Sequence, residues 1–133
     1  MTLDSSALIA ILFAEPGYLD LVDHILEADH ARVGAPTLAE TSLVFIGRQG
    51  GSRGAESVEG LIEELGISIV PFGVAEWHLA ADAFRRFGRG RHRAALNYGD
   101  CLAYATARAF RDTLLFVGDD FTKTDITPAQ GSR

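Results

Sequence analysis

The sequence has few of the residues that stabilise small secreted domains or that cross membranes. Its 133 residues include a single cysteine, Cys101, which excludes an intramolecular disulfide and a cysteine-based zinc cluster. The apolar run from Ala7 to Ala14 has eight residues, whereas a membrane-spanning helix needs roughly 20. The opening residues lack the basic and apolar regions of a secretory signal. We therefore expect a cytoplasmic protein that does not bind membranes.

Positive charge is also scarce. Lysine and arginine total 12 against 18 acidic residues, which gives a net charge of −6. A general positively charged surface for nucleic acid is therefore excluded, and any nucleic acid must bind at a local basic patch or through cations. The length suits one domain, and the 47% hydrophobic content is sufficient for a core.

Hydrophobic periodicity and turn residues predict strands that alternate with helices. The expected strands are Thr2–Asp4, Arg32–Ala35, Ile67–Pro71 and Thr113–Val117. The expected helices are Ala7–Phe13, Tyr18–Ala28, Thr37–Gly47, Ala55–Leu65, Val74–Phe87 and Gly99–Phe110, with loops over 49–54 and 89–97. This order predicts an α/β domain over residues 1–127, with a mostly parallel sheet of four to five strands and helices on both faces, followed by a frayed tail over 128–133.

Acidic residues stand where the expected strands end. Asp4 ends the first strand, Glu40 follows the second, Asp100 begins the last helix, and Asp119 and Asp120 follow the last strand. The functional crevice of an open α/β sheet lies beyond the carboxyl ends of its strands. Buried carboxylates repel one another and are costly to desolvate, and Mg²⁺ or Mn²⁺ relieves both problems. Each acid taken alone is also typical of a helix cap or a solvated surface, so a non-catalytic binding module stays open.

Four stretches of the sequence resemble the motifs of PIN domains. They are Leu3–Leu8, Pro36–Glu40, Leu96–Ala105, and Leu114–Phe121 together with Thr124–Ile126. The length of the chain and the pattern of these motifs are similar to those of VapC toxins from bacterial toxin–antitoxin pairs. The resemblance implies an endoribonuclease that uses one or two Mg²⁺ or Mn²⁺ ions. It also implies a homodimer that a small VapB-type antitoxin holds inactive.

The same resemblance implies a catalytic quartet of Asp4, Glu40, Asp100 and Asp120. Asp4, Asp100 and Asp120 are then the metal ligands, and Glu40 reaches the metal through water. A two-metal site of this kind clamps the attacking and leaving oxygens of a phosphodiester.

The fourth acid is the ambiguous one. Many PIN domains have an acid-x-acid-Phe turn, and here Gly118 takes the place of the first acid. We assign Asp120, directly before Phe121, as the fourth acid and Asp119 as an assisting acid or a further ligand. Ser6 matches a family serine or threonine that orients a water on the metal. No histidine lies in an acidic motif, which argues against a metal-free ribonuclease with paired histidines.

Basic residues cluster just before the Asp100 helix. Five of the 12 lie within nine positions: Arg85, Arg86, Arg89, Arg91 and Arg93. We interpret the cluster as an RNA phosphate contact, with a solvated loop or an antitoxin-docking patch as alternatives. Tyr98 beside it is suited to stacking on a base, or to packing in the core.

The apolar faces of the early helices favour two interpretations equally. Ala7–Phe13, Tyr18–Leu26 and Thr37–Phe45 form either core alone or a groove for an amphipathic antitoxin helix. A self-pairing face is expected on the Val74–Phe87 helix, with Trp77 and Phe84. Since the same carboxylates also suit a DNA nuclease, a structure-specific nuclease or a phosphatase, the substrate class stays open from the residues themselves.

Overall fold

The computed structural model describes residues 1–49 and 51–133, and it describes residues 51–55 by their backbone alone. The strands are β1 (Thr2–Leu3), β2 (Arg32–Gly34), β3 (Ser68–Val70) and β4 (Leu114–Leu115). The helices are α1 (Ser5–Leu12), α2 (Tyr18–Glu27), α3 (Ala35–Gln49), α4 (Gly51–Glu64), α5 (Val74–Phe87) and α6 (Tyr98–Phe110), followed by a 3₁₀ turn over Asp120–Lys123. The expected order of elements is confirmed.

The four strands form one parallel sheet in the order β3-β2-β1-β4. Leu3 pairs with Leu115 towards the β4 edge, and Val33 pairs with Ile69 towards the β3 edge. Two helices connect each strand to the next, so every strand points the same way and all four carboxyl ends meet at one edge. The predicted α/β architecture is therefore confirmed, with four strands.

Both faces of the sheet are covered by apolar side chains. Leu114 and Leu115 are both fully buried, and as neighbours on a strand they point to opposite faces. Leu115 packs with residues of α1, α2 and α4, whereas Leu114 packs with residues of α5 and α6. A strand that is apolar at successive positions is typical of a parallel sheet buried on both sides.

Several expected boundaries differ because side chains replace backbone ladder bonds. The predicted strand Thr113–Val117 is only Leu114–Leu115, since the Phe116 amide donates to Ser132 Oγ and the Val117 amide donates to Ser6 Oγ. The first helix begins at Ser5, two residues earlier than expected, because Asp4 caps it.

The loop expected over 49–54 is wrong for most of its length. Gln49 still belongs to α3, and α4 already begins at Gly51, while Gly50 lies outside the described residues. The glycines that suggested a loop are thus tolerated within the first turns of α4, where fewer intrahelical hydrogen bonds depend on them.

The frayed tail expected over 128–133 is also wrong. Pro128 bridges to Leu114, and the Ala129 amide donates to the Leu114 carbonyl at 2.8 Å. Further on, the Arg133 amide donates to the Phe116 carbonyl at 3.1 Å. The tail therefore lies along the outer edge of β4, because that edge offers backbone groups that no other strand satisfies.

No helix in the part of the chain that the structure describes has both the length and the apolar character needed to cross a membrane.

Candidate active site

Asp4 lies at the carboxyl end of β1, where the strand gives way to α1. Its amide donates to the Leu115 carbonyl at 2.9 Å, so the residue is tied to β4 as well. Its side chain is 4% exposed. Oδ2 accepts the Ser6 amide at 3.0 Å, while Oδ1 is buried and has no hydrogen-bond partner among the described residues. Burial raises the pKa of Asp4 against the lowering effect of the Ser6 hydrogen bonds, and the charge of Glu40 raises it further.

Ser6 connects Asp4 to the segment that follows β4. Its hydroxyl donates to Asp4 Oδ2 at 2.6 Å and accepts the Val117 amide at 3.0 Å. The residue therefore fixes the Asp4 carboxylate relative to the chain that leads to Asp119 and Asp120. The expected role of Ser6 in orienting a water remains a prediction.

Glu40 lies in the second turn of α3 and reaches across to the first turn of α6. A Cβ built at Gly99 would lie 2.8 Å from Glu40 Cδ and 2.9 Å from Oε1, and closer still to Oε2. Glu40 Oε1 is buried without a hydrogen-bond partner among the described residues. The carboxylate thus occupies space that only a glycine at position 99 leaves open.

Asp100 is held in the first turn of α6 by a reciprocal pair of hydrogen bonds. Its amide donates to Asn97 Oδ1 at 2.9 Å, and the Asn97 amide donates to Asp100 Oδ2 at 3.0 Å. Burial raises the pKa of Asp100 to about 6, against the lowering effect of the Asn97 amide, and the charges of Asp4, Asp120 and Glu40 add to the rise. Four carboxylates from separate parts of the chain therefore act on one another electrostatically.

Asp120 and Asp119 are both exposed, at the start of the 3₁₀ turn. Of the two, Asp120 is the one whose charge is among the main causes that raise the pKa of Asp100. The Asp119 carbonyl instead accepts from the Thr122 amide and hydroxyl, at 3.2 and 2.6 Å, which shapes the turn. This arrangement favours Asp120 as the fourth acid.

The donor set suits a hard divalent cation, although the side chains do not form a closed coordination shell. Over residues 1–49 and 51–133, no three histidine, cysteine, aspartate or glutamate side chains are arranged closely enough to hold an ion as they stand. The unpartnered buried oxygens of Asp4 and Glu40 are what a cation would satisfy, and oxygen donors are those that Mg²⁺ and Mn²⁺ prefer. The residues therefore fit such an ion.

The five candidate arginines divide into two groups. Arg85 pairs with Asp82 at 2.6 Å, and Arg86 pairs with Asp125 at 2.7 Å. The remaining three are exposed and have no carboxylate partner within the described part of the chain: Arg89, Arg91 and Arg93. They lie on the loop between α5 and α6, which a bridge between Gly88 and Leu96 closes just before Asp100.

Two grooves with apolar linings lie outside the acidic crevice. The first, of about 430 Å³, lies between α5 and α6 and includes Trp77, Phe84 and Tyr98, which are 60%, 41% and 79% exposed. The second lies between α3, α4 and β3, with an apolar floor and Glu59 and Glu63 at its rim. Tyr98 is therefore a surface aromatic and not a core residue.

Sequence reasoning missed a set of supporting residues around the acids. Asn97 is one of them, and its signal was the Asn-x-x-Asp spacing of a capping box. Another is the contact of Asp125 with Tyr104 and Arg108. The spacing of Asp100, Tyr104 and Arg108 by four residues places them on one face of α6, which the sequence already contained.

Comparisons with known proteins agree with this geometry. The family model of the PIN domain matches residues 1–126. Ribonuclease VapC36 of Mycobacterium tuberculosis is 41% identical over 128 residues, which are 95% of this chain and 91% of that protein. The chain therefore belongs to the PIN-domain family, within its VapC group.

Solved structures share the fold at low sequence identity. The crystal structure of Mycobacterium tuberculosis VapC20, described as a toxin that cleaves the sarcin–ricin loop, has a TM-score of 0.74 at 14% identity and covers 95% of each chain. A toxin–antitoxin complex from Klebsiella pneumoniae has a TM-score of 0.65 at 11% identity, with 99% of this chain and 94% of that chain covered. At these identities the likeness concerns the fold alone.

The raised pKa of Asp100 predicts a pH-dependent effect of Asp100→Asn on stability. Folding raises the pKa of the Asp100 carboxyl from 3.8 to about 6, so the folded state favours the protonated form. The contribution of this group to the free energy of unfolding is therefore fully present below pH 3.8 and is lost as the pH rises through 6. Asparagine carries no charge at either pH. In metal-free protein we expect Asp100→Asn to raise Tm at about pH 7.5 and to change it little at about pH 3.5, as measured by thermal denaturation in EDTA. The exposed Asp29→Asn is the control, and an equal effect of Asp100→Asn at both pH values would contradict the prediction.

The contact between Gly99 and Glu40 predicts a specific defect in Gly99→Ala. The added methyl group must displace the Glu40 carboxylate, and a shift of about 1 Å at a catalytic group can cost about a hundredfold in rate. We expect Gly99→Ala to lower RNA cleavage at least tenfold. Gly60→Ala in α4 is the matched control, because a Cβ there meets nothing within 4 Å. That control should keep full activity and gain about 0.8–1 kcal/mol of stability from helix propensity.

Proposed function

We propose that this protein is the toxin of a toxin–antitoxin pair, an endoribonuclease of the cytoplasm that hydrolyses RNA phosphodiester bonds with divalent metal ions. The observation that carries the proposal is that Asp4 lies at the end of β1, Glu40 packs against Gly99 beside Asp100, and the charges of Asp4, Glu40 and Asp120 raise the pKa of Asp100. The similarity to Ribonuclease VapC36 along nearly the whole chain supports RNA as the substrate class.

The carboxylates would divide the work according to their placement. Asp4, Asp100 and Asp120 would hold one or two Mg²⁺ or Mn²⁺ ions, and Glu40, behind Gly99, would reach the metal through water. When bound, such an ion supplies Lewis-acid chemistry, since it polarises a phosphate oxygen and increases the acidity of water. Ser6 keeps Asp4 in place, and the hydrogen bonds between Asn97 and Asp100 hold the Asp100 side chain in the first turn of α6.

Water is the proposed nucleophile, and the histidine contacts support this. His92 Nδ1 accepts the Ala94 amide at 3.1 Å and its ring meets the edge of Phe87, while His78 stacks on Trp77. These contacts engage the two histidines with neighbours other than the acids. Cys101 is buried and its pKa is raised to about 11, chiefly by burial and further by the charge of Asp100, so it is a poor nucleophile.

The exposed arginines would bind the RNA backbone beside the acids. Arg89, Arg91 and Arg93 precede Asp100 by at most 11 positions on a closed loop, and Tyr98 is exposed at the start of α6. Cationic side chains with an exposed aromatic are the usual means of holding single-stranded RNA. Arg85 and Arg86 are already paired with carboxylates, so neither is assigned to RNA.

Protein partners would occupy the two grooves. The face with Trp77 and Phe84 on α5 suits a second copy of the chain, since exposed aromatic residues are enriched in interfaces. The groove between α3 and α4, with Glu59 and Glu63 at its rim, suits an amphipathic antitoxin helix that carries basic residues. The fold shared with a chain of a toxin–antitoxin complex is compatible with such a partner.

Cleavage is expected to depend on the acids and on the metal together. Asp4→Asn and Asp100→Asn should each lower the cleavage rate about a hundredfold or more, because each removes a charge that acts in the transition state. Mg²⁺ or Mn²⁺ should support cleavage, EDTA should abolish it, and Ca²⁺ should support it poorly because it prefers longer bonds and more ligands. The measurement is cleavage of a labelled single-stranded RNA by purified protein.

The exposed Asp29→Asn is the matched control and should cleave at the wild-type rate. Wild-type protein expressed without a partner should also stop bacterial growth, and Asp4→Asn should relieve the arrest. Undiminished cleavage in EDTA, with the metal content of the protein verified, would rule out the proposed chemistry.

The exposed arginines are expected to set the salt dependence of RNA binding. Replacing Arg89, Arg91 and Arg93 by glutamine removes up to three cations from the RNA backbone, and the slope of log K against log salt should fall by roughly 0.7 for each phosphate that is released. Affinity is measured at several salt concentrations in a cleavage-dead Asp100→Asn background. Arg111→Gln removes an exposed arginine at the other end of α6 and should leave the slope unchanged. An unchanged slope in the triple variant would assign the loop to another partner.

A further inference from the structure

Asp125 makes the densest set of polar side-chain contacts outside the acidic quartet. It lies two residues beyond the 3₁₀ turn and accepts the Tyr104 hydroxyl at 2.6 Å, Arg86 Nη2 at 2.7 Å and Arg108 Nη2 at 2.8 Å. Arg108 also donates to the Asp125 carbonyl at 3.0 Å. Arg86 comes from α5 and the other two donors come from α6, so one carboxylate joins three segments of the chain.

This cluster is partly exposed but well connected. The Asp125 side chain is 40% exposed and the side chains of Arg86 and Arg108 are each 37% exposed, whereas Tyr104 is fully buried. A single ion pair with that exposure would contribute little. Burial by itself raises the pKa of Asp125, yet the hydrogen bonds from Tyr104, Arg86 and Arg108 hold it well below its usual range. Three converging donors therefore fix the carboxylate in its charged form.

The cluster also fixes the position of residues 120–125 along α6. Asp100, Tyr104 and Arg108 are four residues apart and lie along one face of the helix. Asp120 is close enough to Asp100 to raise the pKa of Asp100, and Asp125 contacts the next two residues of that face. The segment from 120 to 125 is thus fixed to α6 at Asp125, five residues after Asp120.

The chain between Asp120 and Asp125 is held in place by buried side chains and by local hydrogen bonds. Phe121 and Ile126 are buried in the apolar cluster beneath it, at 3% and 5% exposure. The Thr124 hydroxyl donates to the Phe121 carbonyl at 2.7 Å and accepts the Ile126 amide at 3.2 Å. These contacts restrain the chain between Asp120 and Asp125.

We propose that Asp125, held by Tyr104, Arg86 and Arg108, is a positioning residue that keeps Asp120 beside Asp100. This inference rests on the proposed metal-dependent function, in which Asp120 is a metal ligand. Asp125 itself touches neither metal nor RNA. Its effect on metal binding passes through Asp120 alone, which separates it from a residue that only stabilises the fold.

The test is Mn²⁺ affinity, measured by calorimetry at a temperature far below Tm. Asp125→Ala should weaken Mn²⁺ binding about tenfold, since loss of a partner that orients a metal ligand usually costs 10- to 100-fold. Asp125→Asn, which keeps the volume and one hydrogen bond, should weaken it less. The decisive variant is Asp125→Ala combined with Asp120→Asn, which should bind Mn²⁺ no more weakly than Asp120→Asn alone.

A matched control is available at the opposite end of the sheet. Asp112 precedes β4 and accepts from Thr2 Oγ1 at 2.8 Å and Arg32 Nη1 at 3.0 Å, so it is also a carboxylate in a polar network. Asp112→Ala should lower Tm and leave Mn²⁺ affinity unchanged. Wild-type Mn²⁺ affinity in Asp125→Ala, or effects that simply add in the double variant, would overturn the positioning role.

A failure of the proposed function can be distinguished from a failure of the inference about Asp125. If wild-type protein bound no Mn²⁺, the proposed metal-dependent function would be wrong. Backbone amide NMR of the metal-free protein would then still test whether Asp125 positions Asp120. Displaced resonances over 118–123 in Asp125→Ala, with none in Asp112→Ala, would support it. Unchanged resonances over 118–123 would overturn it.

Discussion

The mutual repulsion of desolvated carboxylates is the constraint on which the site depends. Asp4 is buried, Asp100 is partly buried with a raised pKa, and Glu40 has an oxygen without a partner among the described residues. Without help, such groups would take up protons or move apart. The surrounding contacts oppose this: Ser6 holds Asp4, and the absent side chain at Gly99 leaves room for Glu40. The fold thus maintains an unfavourable arrangement of charge that a cation would make favourable.

Capping explains part, but not all, of the placement of these acids. Asp4 caps α1 through the Ser6 amide, and Asp100 caps α6 together with Asn97. Capping accounts for one oxygen of each carboxylate, yet it does not account for Asp4 Oδ1, which is buried and meets no donor in the described part of the chain. A residue that served only as a cap would be exposed, because water can then satisfy its second oxygen. The deep placement of Asp4 is therefore the feature that capping leaves unexplained.

Periodicity and strand-end acids predicted the architecture because a parallel sheet imposes long-range order on local patterns. The order of strands and helices follows from alternating apolar runs, and the common edge for Asp4 and Asp100 follows from parallel strands. Local patterns fail where a distant partner supplies the hydrogen bonds. The polar tail is ordered because β4 has an open edge, and the predicted strand through Val117 ends early because the Ser6 hydroxyl replaces a neighbouring strand. No local signal in either segment indicates its partner.

The two ends of the sheet show how stability and function are kept apart. At the amino ends of the strands, Asp112 Oδ2 pairs with Arg32 and accepts the Thr2 hydroxyl, while Oδ1 pairs with the Met1 amino group. At the carboxyl ends, the acids have hydrogen bonds but no cation among the described residues, since the nearby arginines point to solvent or bind Asp82 and Asp125. An arginine placed among the acids would satisfy their charge permanently and would compete with any metal ion. The arginines nearest to this segment, Arg86 and Arg108, pair instead with Asp125, so they do not neutralise Asp120.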